Sequence, residues 1–76
     1  MIKEHDRVVL VADVPAEGLV AGDVGTVVHV YRDGQAYEVE FFTLGGKTAA
    51  VVTLEVSQVR PVGKREIMHA REPAPR

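Results

Sequence analysis

Short segments in which polar and apolar residues alternate constrain the fold of this chain more than any other feature. The clearest one is Tyr37-Glu38-Val39-Glu40-Phe41, where aromatic residues and valine alternate with glutamate. An alternation with period two places the two sets of side chains on opposite faces of a β-strand. The segment follows an Asp-Gly pair at 33–34, which is a strong signal for a tight hairpin. The pattern therefore predicts a hairpin strand with one buried face.

The same pattern recurs along the chain and predicts five strands. Valine is abundant, while Trp is absent and only two Phe and two Tyr occur. Branched β-carbons suit strands better than helices. The predicted strands are residues 6–12, 26–31, 36–42, 48–54 and 59–62, with a long loop at 13–22 and a 3₁₀ turn at 55–58. The other connections are short, so we expect an all-β meander that its last strand closes into a small five-stranded barrel.

The length predicts one domain followed by a tail. A chain of 76 residues buries only about 60% of the surface that its unfolded form exposes, so the core is thin. We expect a barrel over residues 1–62 and a basic C-terminal tail over 63–76. Residues 64–71 could form about two turns of helix with Ile67 and Met68 as its apolar residues, although so short a helix is not stable by itself.

The absence of cysteine excludes disulfides, thiolate metal sites and cysteine nucleophiles. A small secreted domain usually needs disulfides, so a reducing compartment is expected. The N-terminus is charged and has no apolar signal segment, and no run approaches the roughly 18 apolar residues of a membrane span. We therefore expect a cytoplasmic protein without a membrane partner.

Charge is divided unequally between barrel and tail. Residues 1–59 carry four basic and nine acidic side chains, a net −5. Residues 60–76 carry five basic and two acidic side chains, a net +3. The barrel is thus acidic and the tail is basic, so the two are complementary in charge.

Four segments resemble the SH3-like barrels of bacteria. They read DRVVL at 6–10, GDVGTVV at 22–28, YEVEF at 37–41 and QVRPV at 58–62. More narrowly, the chain resembles an uncharacterised bacterial and archaeal family of short stand-alone domains of unknown function. The resemblance covers nearly the whole chain except the tail, and it implies a five-stranded SH3-like barrel.

Two other groups share the pattern more loosely. The β-subunit barrel of nitrile hydratases and their small activator proteins has a similar glycine-rich turn before the second strand, and that likeness implies a role in assembly. KOW-type barrels of ribosomal and elongation proteins share Gly22 and Gly25 followed by Val27. This second likeness implies nucleic-acid binding, here through Arg60, Lys64, Arg65 and Arg71 of the tail. The acidic barrel disfavours that alternative, because phosphate contacts need clustered basic residues.

No catalytic, cofactor or metal constellation is visible in the sequence. His5, His29 and His69 lie in separate segments, without the short spacing of a zinc site. We expect them to be solvated or ordinary strand residues, and His29 with Glu38 or Glu40 across the hairpin is the pair to examine. The sequence therefore predicts neither an enzyme nor a binder of a small-molecule substrate.

Protein–protein interaction is the leading hypothesis. The second and fourth strands are apolar on both faces, which is more apolar surface than one thin core absorbs, and strand edges readily add another strand. A partner protein or a second copy in a homodimer would cover the extra surface; alternatively, the 13–22 loop and the tail of the same chain cover it. The residues expected to bind a partner are Val27, His29, Val51 and Thr53 on the second faces, and Ile67, Met68 and Arg71 in the tail.

Overall fold

Five β-strands form the fold of this protein, for which a computed structural model describes residues 1–73. The strands are β1 (Arg7–Leu10), β2 (Val24–Tyr31), β3 (Ala36–Phe42), β4 (Thr48–Glu55) and β5 (Val59–Pro61). Short 3₁₀ helices occupy Pro15–Glu17, Arg32–Gly34 and Val56–Gln58. The predicted all-β class is confirmed, and the 3₁₀ turn before the last strand lies where it was expected.

All neighbouring strands are antiparallel, in the order β4-β3-β2-β1-β5. The first four strands form the predicted meander, and β5 returns to pair with β1. Within residues 1–73 the strand ladder is open between β4 and β5, so closure into a barrel stays a prediction. These two strands are the edges of the sheet.

One hydrophobic cluster nevertheless collects residues from every strand. Its largest fully buried side chains are Val8 and Leu10 of β1, Val27 of β2, Val39 of β3 and Leu54 of β4. Strands β1 and β4 are separated by two others in the ladder, so a flat sheet could not bring their side chains together. The sheet must therefore curl around the core, as twisted antiparallel sheets do.

A bulge in β2 decides which of its side chains face the core. The register with β3 shifts between Val27 and His29, which leaves Val28 as the extra residue. Val27 is 0% exposed, and Val28 and His29 both lie outside. The expectation that Val27 lies on an exposed second face is therefore wrong, because the bulge shifts the in-out alternation by one residue.

The tail contains no helix over residues 62–73, so the predicted two turns at 64–71 are wrong. A single turn closes where the Glu66 N–H donates to the Gly63 carbonyl at 3.2 Å. Ile67 is 95% exposed and Met68 is 64% exposed, so a helix here would lack the packing that short helices require. The last predicted tail residues, 74–76, lie outside the described residues. No helix within 1–73 is long and apolar enough to cross a membrane.

Candidate functional site

Glu38 is the centre of a polar cluster on the outer face of the sheet. Its Oε1 accepts hydrogen bonds from the Thr53 hydroxyl at 2.6 Å and from the Tyr31 hydroxyl at 3.3 Å. Both donors lie on strands that pair with β3, and Thr53 is directly opposite Glu38. Partial desolvation and the negative charge of Glu38 raise the pKa of Tyr31. The cluster is exposed and fully hydrogen-bonded, so its carboxylate is held by neutral donors rather than poised for proton transfer.

His29 lies beside this cluster but points to another carboxylate. It is opposite Glu38 in the strand register, yet its Nδ1 is 3.7 Å from Oε2 of Glu4. The ring also packs edge-on against Tyr31, with 4.5 Å between the centroids. Both His29 and Glu4 are about half exposed, and within residues 1–73 no group of three or more ligand-type side chains could hold a metal ion. The ion pair is an ordinary surface contact, of the kind worth little free energy.

The free edge of β4 can be followed residue by residue. Val27 donates its N–H to Asp6 at 2.9 Å and accepts from the N–H of His5 at 2.7 Å, so its backbone faces away from β3. Its partner Val39 must therefore bond to β4, where it pairs with Val52. By the alternation of antiparallel pairs, the next residues on each side of Val52 direct their N–H and C=O groups outward.

Those outward-facing residues are Val51 and Thr53. The stretch 50–54 has no charge, proline or glycine, and the irregularity of β4 lies before it, at Ala49. The Val51 side chain is 49% exposed on the outer face. In contrast, β5 has only three residues, includes Arg60 and ends at Pro61. Of the two edges, β4 is the longer one and the one that lacks the usual protective features.

A groove of about 440 Å³ lies at one end of the fold. Its walls are loop residues 17–24, the turn between β3 and β4, and the tail residues 68–73. Leu19, Phe41, Phe42, Leu44 and Met68 supply its apolar lining. Leu44 and Met68 remain largely exposed, so the groove is open to solvent and accessible to another molecule.

Arg71 attaches the tail to the wall of this groove. Its Nε and Nη2 donate to Oδ1 and Oδ2 of Asp23 at 2.9 and 2.6 Å, and Nη2 also donates to the Gly18 carbonyl at 3.0 Å. Burial alone would raise the pKa of Asp23, but the hydrogen bonds from Arg71 and from the Val20 amide outweigh it, so the pKa is lowered. The pair is less exposed than the other ion pairs of the described residues.

A second bidentate pair fixes the start of the tail. Arg60 donates to the two carboxylate oxygens of Glu66 at 2.8 and 2.5 Å, and the Gly63 N–H donates to the same carboxylate. The hydrogen bonds from Arg60 and Gly63 lower the pKa of Glu66 to about 2. Two of the four arginines and lysines considered for nucleic-acid binding, Arg60 and Arg71, are therefore already bound to carboxylates.

The predicted partner-binding residues separate into two places. Val51, Thr53 and His29 lie on the outer face and β4 edge, whereas Met68 and Arg71 lie at the groove. Ile67 is exposed outside the groove lining, and Val27 is in the core. Sequence analysis missed Asp23 and Gly18 as partners of Arg71, and Glu38 as the centre of the polar cluster. The one available signal for Asp23 was its place between glycines in the turn before β2.

Comparisons with known proteins identify a family but no characterised relative. No curated protein and no solved structure matches this chain. A family model described as "Domain of unknown function (DUF4926)" matches residues 4–61, from just before β1 to the end of β5. The predicted resemblance to an uncharacterised family of short domains is confirmed, whereas the relationship to SH3-like barrels stays a prediction. Because the match covers more than half of the sequence, the chain belongs to the family Domain of unknown function (DUF4926).

Proposed function

We propose that this protein is a non-catalytic interaction module that takes a strand of a partner protein along the free edge of β4. The observation that carries the proposal is the outward direction of the Val51 and Thr53 backbone groups on an uncharged edge. Added strands bind chiefly through main-chain hydrogen bonds, and alternate side chains supply specificity. We place this function in the cytoplasm, since the chain has no cysteine.

The contrast between the two edges supports this choice of surface. Proteins protect exposed edges with charges, proline, bulges or short strands, because an unprotected edge pairs with other chains. The β5 edge is protected by its length and by Pro61, while residues 50–54 of β4 have none of these devices. An edge left unprotected is consistent with a physiological partner.

The outer face beside β4 suits a bound strand that is partly polar. An incoming strand would place its side chains next to Val51 and Thr53, with Glu38 and Glu40 one strand further away. The hydroxyl groups of Thr53 and Thr48 already bind these two carboxylates, which orients the acidic row. Lysine or arginine side chains on the added strand would be favoured over acidic ones, because like charges across strands destabilise pairing.

Replacing Val51 with proline tests the proposal at the outward-facing N–H. Val51→Pro removes a donor that β3 does not use, and proline is tolerated where the N–H of an edge strand faces solvent. The matched control Val51→Thr keeps the donor and the preference for strand. We expect the tagged wild-type chain and Val51→Thr to retain the same partner from the source cells, and Val51→Pro to lose it.

Hydrogen exchange distinguishes strand addition from other contacts. With the retained partner bound, the Val51 and Thr53 amides should become protected, while the β5 edge should not. Retention of the partner by a folded Val51→Pro, or protection that spares both amides, would refute strand addition along β4. A purified wild-type chain that pairs with itself would identify the partner as a second copy.

A further inference from the structure

The groove beside the tail already contains a peptide segment, residues 68–73 of the same chain. This segment has no regular structure and crosses the end of the sheet. Most of its surface is exposed, including 64% of Met68. Its polar attachment to the sheet is the Arg71 side chain, which reaches Asp23 and Gly18. A segment attached largely through one side chain is one that a competing peptide can replace.

The acceptors around Arg71 belong to the folded sheet and its first loop. The Val20 N–H donates to Oδ2 of Asp23 at 2.9 Å, which orients the carboxylate. The Asp23 carbonyl accepts from the Leu10 N–H at 2.9 Å, which joins this turn to β1. Gly18 adopts the left-handed conformation with φ +72°, and its N–H bonds to the Pro15 carbonyl. The loop's own hydrogen bonds thus hold the three acceptor oxygens in position.

The geometry of these acceptors is specific for a guanidinium group. Two parallel N–H donors meet the two carboxylate oxygens, and a third N–H reaches a carbonyl. A lysine ammonium cannot reproduce this planar, bidentate arrangement. The apolar lining next to it, including Leu19 and Phe42, suits the residues that flank an arginine in an extended peptide. The net charge of −5 over residues 1–59 also attracts a basic segment.

We propose that this groove is a second interaction site, which binds an extended arginine-bearing segment of a partner protein. In the absence of the partner, residues 68–73 occupy the groove and Arg71 takes the place of the partner's arginine. The site is separate from the β4 edge, so either proposal can fail without the other. The tail then acts as a competitor that sets how strongly a partner must bind.

A peptide with the sequence of residues 66–73, EIMHAREP, is the probe, blocked at both ends and fluorescently labelled. The full chain is used as wild type, as Arg71→Ala, and as Arg71→Ala with Asp23→Asn. We expect Arg71→Ala to bind the peptide saturably, because its own tail no longer fills the acceptors. Wild type should bind more weakly, because the attached tail competes at an effective concentration on the order of millimolar. Asp23→Asn should weaken binding roughly tenfold or more, as loss of a charged hydrogen-bond partner does.

A second peptide, with lysine in place of the arginine, tests the specificity. It should bind Arg71→Ala roughly tenfold more weakly than the arginine peptide. Since Asp23→Asn might disturb the loop, amide shifts in the NMR spectrum of Arg71→Ala give a second measure, and they should change at Gly18 and Asp23. No saturable binding by Arg71→Ala would overturn the proposal. So would equal affinity for the lysine peptide, or shift changes confined to β4.

Discussion

Adding one methyl group at Gly25 tests how closely β2 and β3 are packed. Gly25 is buried in β2, and its φ is outside the left-handed region, so alanine is not excluded by the backbone. A Cβ built there lies 2.6 Å from Cγ1 of Val39, 2.9 Å from Cε2 of Phe41 and 3.0 Å from the Glu40 carbonyl oxygen. Ordinary carbon–carbon contacts lie near ~3.5–4.0 Å, so the methyl group would intrude on all three.

The expected cost follows from which of these neighbours can move. Overpacking a core typically costs about 1–3 kcal/mol. The Glu40 carbonyl is part of the ladder between β2 and β3, and both side chains are in the core, so we expect about 2–3 kcal/mol for Gly25→Ala. A domain of 76 residues has roughly 4–11 kcal/mol in total, so this loss is a large fraction. The melting temperature should fall by roughly 10–20 °C.

Urea unfolding followed by circular dichroism measures this difference. Gly45→Ala is the matched control, because its Cβ would meet only the Thr43 hydroxyl oxygen, at 3.8 Å, and should change stability by no more than about 0.5 kcal/mol. Val39→Ala removes the nearest clashing atom, so the double variant should cost less than the sum of the single ones. If Gly25→Ala unfolded at the same urea concentration as wild type, the close approach of these strands would be refuted.

Three further results are expected. Asp23 has a lowered pKa, so the contribution of its pair with Arg71 to stability should be present above the ordinary value of 3.8 and lost as pH falls through the lowered pKa; an NMR titration that left the tail attached below this range would contradict it. Glu66 should titrate near pH 2 in the same spectra, and an inflection near 4.5 would show that its pair with Arg60 does not form in solution. Leu54→Ala should cost about 2–5 kcal/mol, because Leu54 is 1% exposed, whereas Val51→Ala on the exposed edge should cost less than about 1 kcal/mol; equal costs in urea unfolding would refute this assignment of core and edge.

The strands could be predicted because their signals are local. The alternation at 36–42 coincides with β3, and β4 is one residue longer than predicted. The Asp-Gly pair does mark the connection of β2 to β3, although Arg32, Asp33 and Gly34 all take positive φ in a 3₁₀ turn rather than a two-residue hairpin loop. Period two and turn residues thus located the elements within a few residues.

The face of Val27 could not be predicted, because one bulge reverses it. The sequence Val27-Val28-His29-Val30 is compatible with either face, and the pairing with β3 selects the one that buries Val27. The predicted tail helix failed for a related reason. Its helical tendency was too weak without a packing surface, and the carboxylates of Glu66 and Asp23 instead bind arginines that a local pattern does not connect to them.

By itself, the sequence determined the all-β class, the approximate strand positions, the single-domain size and the division of charge between acidic barrel and basic tail. These properties depend on composition and on neighbours two to four residues apart, where period and turn chemistry act. Only the tertiary structure decided that β4 has the unprotected edge and that Arg71 meets Asp23, 48 residues away along the chain. Contacts of that kind depend on how the sheet curls, because curvature brings together residues whose separation in sequence carries no periodic signal.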